Sequence, residues 1–177
     1  MIIYNRYMNW TEFENKYRFE KLVYDLTSES LELLSKSELK DEIFTAFAYN
    51  CVSMPSISLS FDTNPESKKN GYYPPDWSNE CMEVDIPEIG KLWSAKLGKV
   101  EDEIEELFDN TDDDDFIDEF ESGYMNSLRK ILVRLENNNA FDKIKTTKDF
   151  RTLVTQIDAD TDEEEKLLAK VREELEP

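Results

Sequence analysis

The amino-acid sequence predicts an α+β fold in which a small, mostly antiparallel sheet of three or four strands packs with about four helices, one pair of them a helical hairpin. Three observations carry that expectation. Residues 42–62, EIFTAFAYNCVSMPSISLSFD, contain two β-type runs joined at a proline. Residues 89–107 and 117–135 each repeat apolar side chains at spacings of three and four. Residues 151–157 alternate once more before an acidic C-terminal helix. With 177 residues, 39% of them hydrophobic, the chain is read as a single globular domain over 1–177 with enough apolar mass for its own core.

In chain order, Thr11-Glu12-Phe13-Glu14 has the form of a capping box and predicts one long helix reaching about Ser35, with Phe13, Tyr17 and Tyr24 on one apolar stripe that Phe19, Leu22, Val23, Leu26, Leu33 and Leu34 widen. Ile43 to Val52 is apolar on both faces, as in a central strand covered from both sides. Met54-Pro55-Ser56 then supplies a hairpin connection. Beyond it Ile57, Leu59 and Phe61 alternate with serines and Asp62, which predicts a half-buried strand. Residues 62–76 hold Asn64-Pro65, Asn70-Gly71 and Pro74-Pro75 and read as a loop. Cys81 to Val84 is taken as a short third strand, and Pro87 as the start of a helix to Phe108. The run DNTDDDD turns the chain into the next helix, which ends at Asn137-Asn138-Asn139. Thr161-Asp162-Glu163-Glu164 repeats the capping-box form ahead of the stripe Leu167, Leu168, Val171 and Leu175.

Charge is the dominant compositional feature. The formal net charge is −20, and two segments carry nearly all of it. Residues 101–121 hold 13 acids and no base; residues 158–176 hold 9 acids and 3 bases. Such a field repels nucleic acid and anionic membrane and attracts cationic partners, so direct nucleic-acid binding is not expected. A basic protein partner is, with Asp112, Asp113, Asp114, Asp115, Asp118 and Glu119 as its docking residues. The competing reading is that the acidic runs only keep the chain soluble. Tyr72, Tyr73 and Trp77 also carry two readings, as a cap over the edge of the core or as aromatic anchors for a partner.

Chemistry is constrained by what is missing. With no histidine, Ser-His and Cys-His nucleophile pairs are excluded, and four glycines leave no phosphate-binding loop. No catalytic residue is assigned and no cofactor is expected. Asp158, Asp160 and Asp162 open like a calcium loop, but Glu163 stands at its sixth position and Ala169 at its twelfth, where glycine and glutamate are required. A solvated strand-to-helix connection is the preferred reading there. A divalent-cation binder and an enzyme using carboxylate pairs remain the alternative functions. Cys51 and Cys81 read as reduced core thiols, and the absence of an apolar leader or span predicts a cytoplasmic location.

The order of elements, together with the stretch Tyr72-Tyr73-Pro74-Pro75-Asp76-Trp77, resembles a bacterial domain family of unknown function. It is also similar to the small acidic immunity proteins of bacterial polymorphic toxin systems. That resemblance implies a cytoplasmic, non-enzymatic protein that sequesters a toxin, and it carries over no individual binding residue.

Overall fold

The structure, a computed structural model, describes residues 8–51, 54–70, 73–156 and 159–176. The predicted α+β class holds. Among the described residues there are six helices and one sheet of three strands, in the order α1 (Trp10–Tyr17), α2 (Phe19–Leu34), β1 (Phe44–Cys51), β2 (Ser58–Asp62), α3 (Met82–Asp85), α4 (Pro87–Asp109), α5 (Asp114–Asn137), β3 (Thr146–Gln156) and α6 (Thr161–Glu174). The sheet order is β2-β1-β3, with the twice-covered strand β1 at its centre. The sheet is mixed rather than mostly antiparallel. β1 and β2 form the antiparallel hairpin, whereas β3 returns alongside β1 in parallel, Ala48 opposite Leu153 and Asn50 opposite Thr155.

The two faces of the sheet differ in what they bury. On one, Phe47, Tyr49, Cys51, Leu59, Phe61 and Val154 join the main core, which α1, α2, α4 and α5 complete with Phe13, Leu26, Trp93, Tyr124 and Leu128. Two buried hydroxyls fasten helices to this face: Tyr49 lies 2.6 Å from the Thr27 hydroxyl, and Tyr124 donates to the Pro55 carbonyl at 2.6 Å. The other face carries Ala46, Ala48 and Leu153 beneath Trp77. Ser60 and Asp62 also lie on that face and are fully buried, so β2 is not the half-buried strand its alternation predicts. Asp62 Oδ1 accepts from the Asn64 and Ser78 amides and from the Ser78 hydroxyl, which draws the two ends of the 62–78 loop together.

The free edge of β2 is closed locally. Phe61 and Asn79 exchange both backbone hydrogen bonds, at 2.8 and 3.1 Å, and Glu83 Oε1 accepts the Leu59 amide at 2.8 Å. Such plugs deny a second chain the ladder an open edge would offer. Residues 82–85 form helix α3 instead of the expected strand, because Cys81 accepts from the Val84 and Asp85 amides and turns the backbone.

Three helix boundaries also differ from expectation. Asn9, not Thr11, caps α1: its Oδ1 accepts the Glu12 amide and Glu12 returns the bond to the Asn9 amide. The expected single long helix breaks at Arg18, which adopts the left-handed conformation (φ 52°, ψ 47°). Glu14 compensates by accepting the Glu20 amide at 3.0 Å, satisfying one of the amides that the restart of the helix leaves open. Asp160 replaces Thr161 as the cap of α6, accepting from the Asp162 and Glu163 amides. The helices number six rather than about four because of the break at Arg18 and the short α3.

Candidate functional site

Helices α4 and α5 form the expected hairpin-like pair, and its turn is built from short-range hydrogen bonds. Ile89, Trp93, Leu97, Val100 and Ile104 bury one stripe of α4; Phe120, Tyr124, Leu128, Ile131 and Leu135 do the same for α5. At the turn Asn110 donates to the Glu106 carbonyl at 2.6 Å, and buried Thr111 accepts the Asp113 amide at 3.1 Å. Asp113 then caps α5 by accepting from the Phe116 amide at 3.2 Å. Beneath the turn Phe108 meets Phe120 edge-on with centroids 5.6 Å apart, and Phe116 tilts against Phe120 at 5.9 Å. The acidic turn is therefore an ordered surface on an aromatic base.

Asp112, Asp113, Asp114, Asp115, Asp118 and Glu119 are all exposed around this turn, and the four consecutive aspartates line one open depression with Thr111. Their electrostatic setting differs from that of acids elsewhere. Among the described residues the only ion pair made by residues 101–121 joins Glu103 to Lys16 at 3.7 Å. Away from the turn several acids are matched: Glu20 with Arg134 at 2.6 Å, Glu136 with Arg172 at 2.7 Å, Glu165 with Arg151 at 2.6 Å and buried Glu164 with Arg129 at 2.6 Å. Burial first, and then Glu105 and Asp102, hold the Glu101 carboxyl above its usual range.

The aromatic candidates separate. Trp77 is 5% exposed and covers Ala46, Ala48 and Leu153, as the core-capping reading expects. Tyr73 stands 53% exposed just before the 3-10 turn Pro74–Asp76, and Tyr72 lies outside the described residues. Asp158 lies outside them too. Asp160 and Asp162 are exposed, and Asp160 is occupied in capping α6. No group of three or more acids or cysteines arranged to hold a metal ion occurs among the described residues.

Both thiols are free. Burial pushes the Cys51 thiol up to about 12; burial and the neighbouring Glu83 raise Cys81. Neither is poised as a thiolate nucleophile at neutral pH. No helix among the described residues is long and apolar enough to cross a membrane.

One feature carries no local sequence signature. A groove of about 690 Å³ opens where the end of α2 and the turn after it meet the α3–α4 junction. It assembles Leu33, Leu39, Ile86 and Pro87 from segments about fifty residues apart, so no window of sequence shows it. No protein-family model, curated protein or solved structure matches this chain.

Proposed function

We propose that this chain is a non-enzymatic, acidic protein-binding module that holds a basic protein against the α4–α5 turn, with the immunity-type role, a toxin domain as partner, as its specific form. One observation carries the reading: the exposed acids of residues 112–119 stand together on one turn without basic partners among the described residues, while several acids elsewhere on the surface, Glu20, Glu136 and Glu165 among them, are paired. An uncompensated surface of one sign, fixed on packed helices, steers an oppositely charged partner and loses that advantage as salt rises. Two unpaired cysteines fit the reducing cytoplasm.

The test compares the native chain with a variant in which Asp112 to Asp115 are all asparagine, each used to capture proteins co-expressed from neighbouring genes at low and high salt. The native chain retains a basic protein at low salt, and the variant associates with it about tenfold more slowly, with a flatter salt dependence. Equal association rates for the two chains, or capture indifferent to salt, would remove the turn as the docking surface.

A further inference from the structure

The geometry points to a second docking site: the groove between α2 and the α3–α4 junction receives a basic segment of a partner protein that inserts apolar side chains between flanking lysines or arginines. Its floor is apolar. Ile86 is 6% exposed, Leu33 and Leu39 are half-buried against the main core, and Pro87 adds its ring at the first position of α4. About 690 Å³ is room for several side chains, within the range of sites that enclose a ligand's apolar parts.

The rim decides what kind of segment fits. Glu38, Asp85 and Glu88 stand exposed around the floor. Asp85 takes a hydrogen bond from the neutral Asn79 amide at 3.1 Å, and none of the three acids makes an ion pair among the described residues. The single base of the lining, Lys36, stands just past the end of α2 and is turned to Glu32 on that helix at 2.7 Å. An incoming segment therefore meets an apolar trough bordered by unneutralised carboxylates. A second copy of this chain would bring its own net charge of −20 to the same rim, and an acidic or anionic ligand would meet the same repulsion.

This site does not depend on the acidic turn. The groove borders the first residues of α4 and the turn follows its last, so the two lie roughly 33 Å apart along the helix at 1.5 Å per residue. The rim supplies attraction and the floor supplies selectivity, because a purely polar cationic segment leaves the trough unfilled.

The probe is a labelled synthetic peptide of alternating lysine and leucine, compared with one in which serine replaces every leucine. Chemical-shift mapping should show the lysine–leucine peptide perturbing the amides of Leu33, Leu39 and Ile86, with the serine peptide leaving them in place. Glu38→Lys with Glu88→Lys, both at exposed positions, should weaken the lysine–leucine peptide at least tenfold, and circular dichroism reports whether the fold is kept. The variant with Asp112 to Asp115 as asparagine should keep the groove shifts, so failure of the turn as a docking surface leaves this result standing. Shifts confined to residues 101–121, or undiminished binding by the folded double-lysine variant, would overturn the site. A concentration-dependent dimer in sedimentation that the double-lysine variant abolishes would assign the groove to a second copy and equally overturn the proposal.

Discussion

Gly123 is a position at which one added methyl group should cost stability. It lies in the middle of α5, where glycine is ordinarily worth about 1 kcal/mol less than alanine. A Cβ built there, however, would stand 2.4 Å from Trp10 Cγ and 2.7 Å from Trp10 Cβ. The ring cannot simply swing away, because the clash falls at its root and its far side is held. Trp10 Nε1 donates to the Ser127 hydroxyl at 3.1 Å, and the ring meets Phe19, Phe120 and Tyr124 edge-on at 5.3, 5.1 and 5.7 Å. Gly123→Ala must therefore lift α1 from α5. Overpacking costs about 1–3 kcal/mol and a lost hydrogen bond about 1 kcal/mol, against about 1 kcal/mol gained in helix propensity. The expected net loss is about 1–3 kcal/mol. Gly98, within α4, has no atom within 4 Å of its hypothetical Cβ, so Gly98→Ala should stabilise by about 0.5–1 kcal/mol. Urea titration followed by circular dichroism measures both. In a Trp10→Ala background the Gly123→Ala change should turn stabilising, since the obstructing ring is gone. A Gly123→Ala chain as stable as the parent, or equally destabilised in both backgrounds, would refute the wedge.

Two further outcomes follow from buried charge. Glu164→Gln should destabilise by about 3–5 kcal/mol in chemical denaturation, because Arg129 is 6% exposed and its Nε already lacks a partner; replacing both residues with methionine or leucine should cost far less. Glu14, Glu83 and Glu101 each have their carboxyl raised above the ordinary 4.5, burial being the largest cause, so the folded state holds their protons more tightly than the unfolded chain. Their contribution to stability is present below 4.5 and lost as pH rises through the folded values, while Glu32 and Asp41, lowered by Lys36 and Lys145, act in the opposite sense below 4.5 and 3.8. Thermal unfolding should therefore show a maximum in the weakly acidic range, and a melting temperature still climbing from pH 5 to pH 8 would contradict it.

What could be read from the sequence follows the range of the interactions involved. The stripes of α4 and α5 repeat through six or seven turns, so the periodicity marks Ile89, Trp93, Leu97, Val100 and Ile104 and then Phe120, Tyr124, Leu128, Ile131 and Leu135 as buried, but it misses Met125, Ser127, Arg129, Leu132 and Val133, which α5 also buries because it packs on more than one side. The caps lie one or two positions ahead of Thr11 and Thr161 because Asn9 and Asp160 precede them and accept the Glu12 amide and the Asp162 and Glu163 amides, which starts each helix earlier. Arg18 ends a helix without glycine or proline, so nothing local marks the break. β3 begins five residues earlier than its alternation shows, since Thr147 to Phe150 lie at a shift in register where Phe44 pairs Thr146 and Ala46 pairs Arg151. Its parallel pairing with β1 depends on the path of the chain through α4 and α5 and on no residue of its own. The acidic turn was legible as composition; the groove, which needs two distant segments at once, was not.

The energetic cost of the acidic turn falls mainly on one of its two helices. Asp113, Asp114 and Asp115 sit at the cap and first turn of α5, where the helix dipole favours negative charge. Glu105, Glu106 and Asp109 close α4, where it does not, and that last turn contains no base. Along α4 Glu101 and Glu105, Asp102 and Glu106, and Glu105 and Asp109 are also like-charge pairs four residues apart, each unfavourable by about 0.2–0.5 kcal/mol. Raising sodium chloride from 10 to 200 mM should therefore raise the melting temperature, the reverse of a protein held together by surface ion pairs. Replacing Glu105 and Glu106 with glutamine and Asp109 with asparagine should stabilise the chain by about 1–2 kcal/mol at low salt and remove most of that response. If the triple variant is less stable, or salt lowers the melting temperature of the parent, the end of α4 is not under electrostatic strain. If both results come out as expected, a cationic partner at the turn relieves a cost the folded chain already carries, and its binding should raise the melting temperature at low salt more than at high salt.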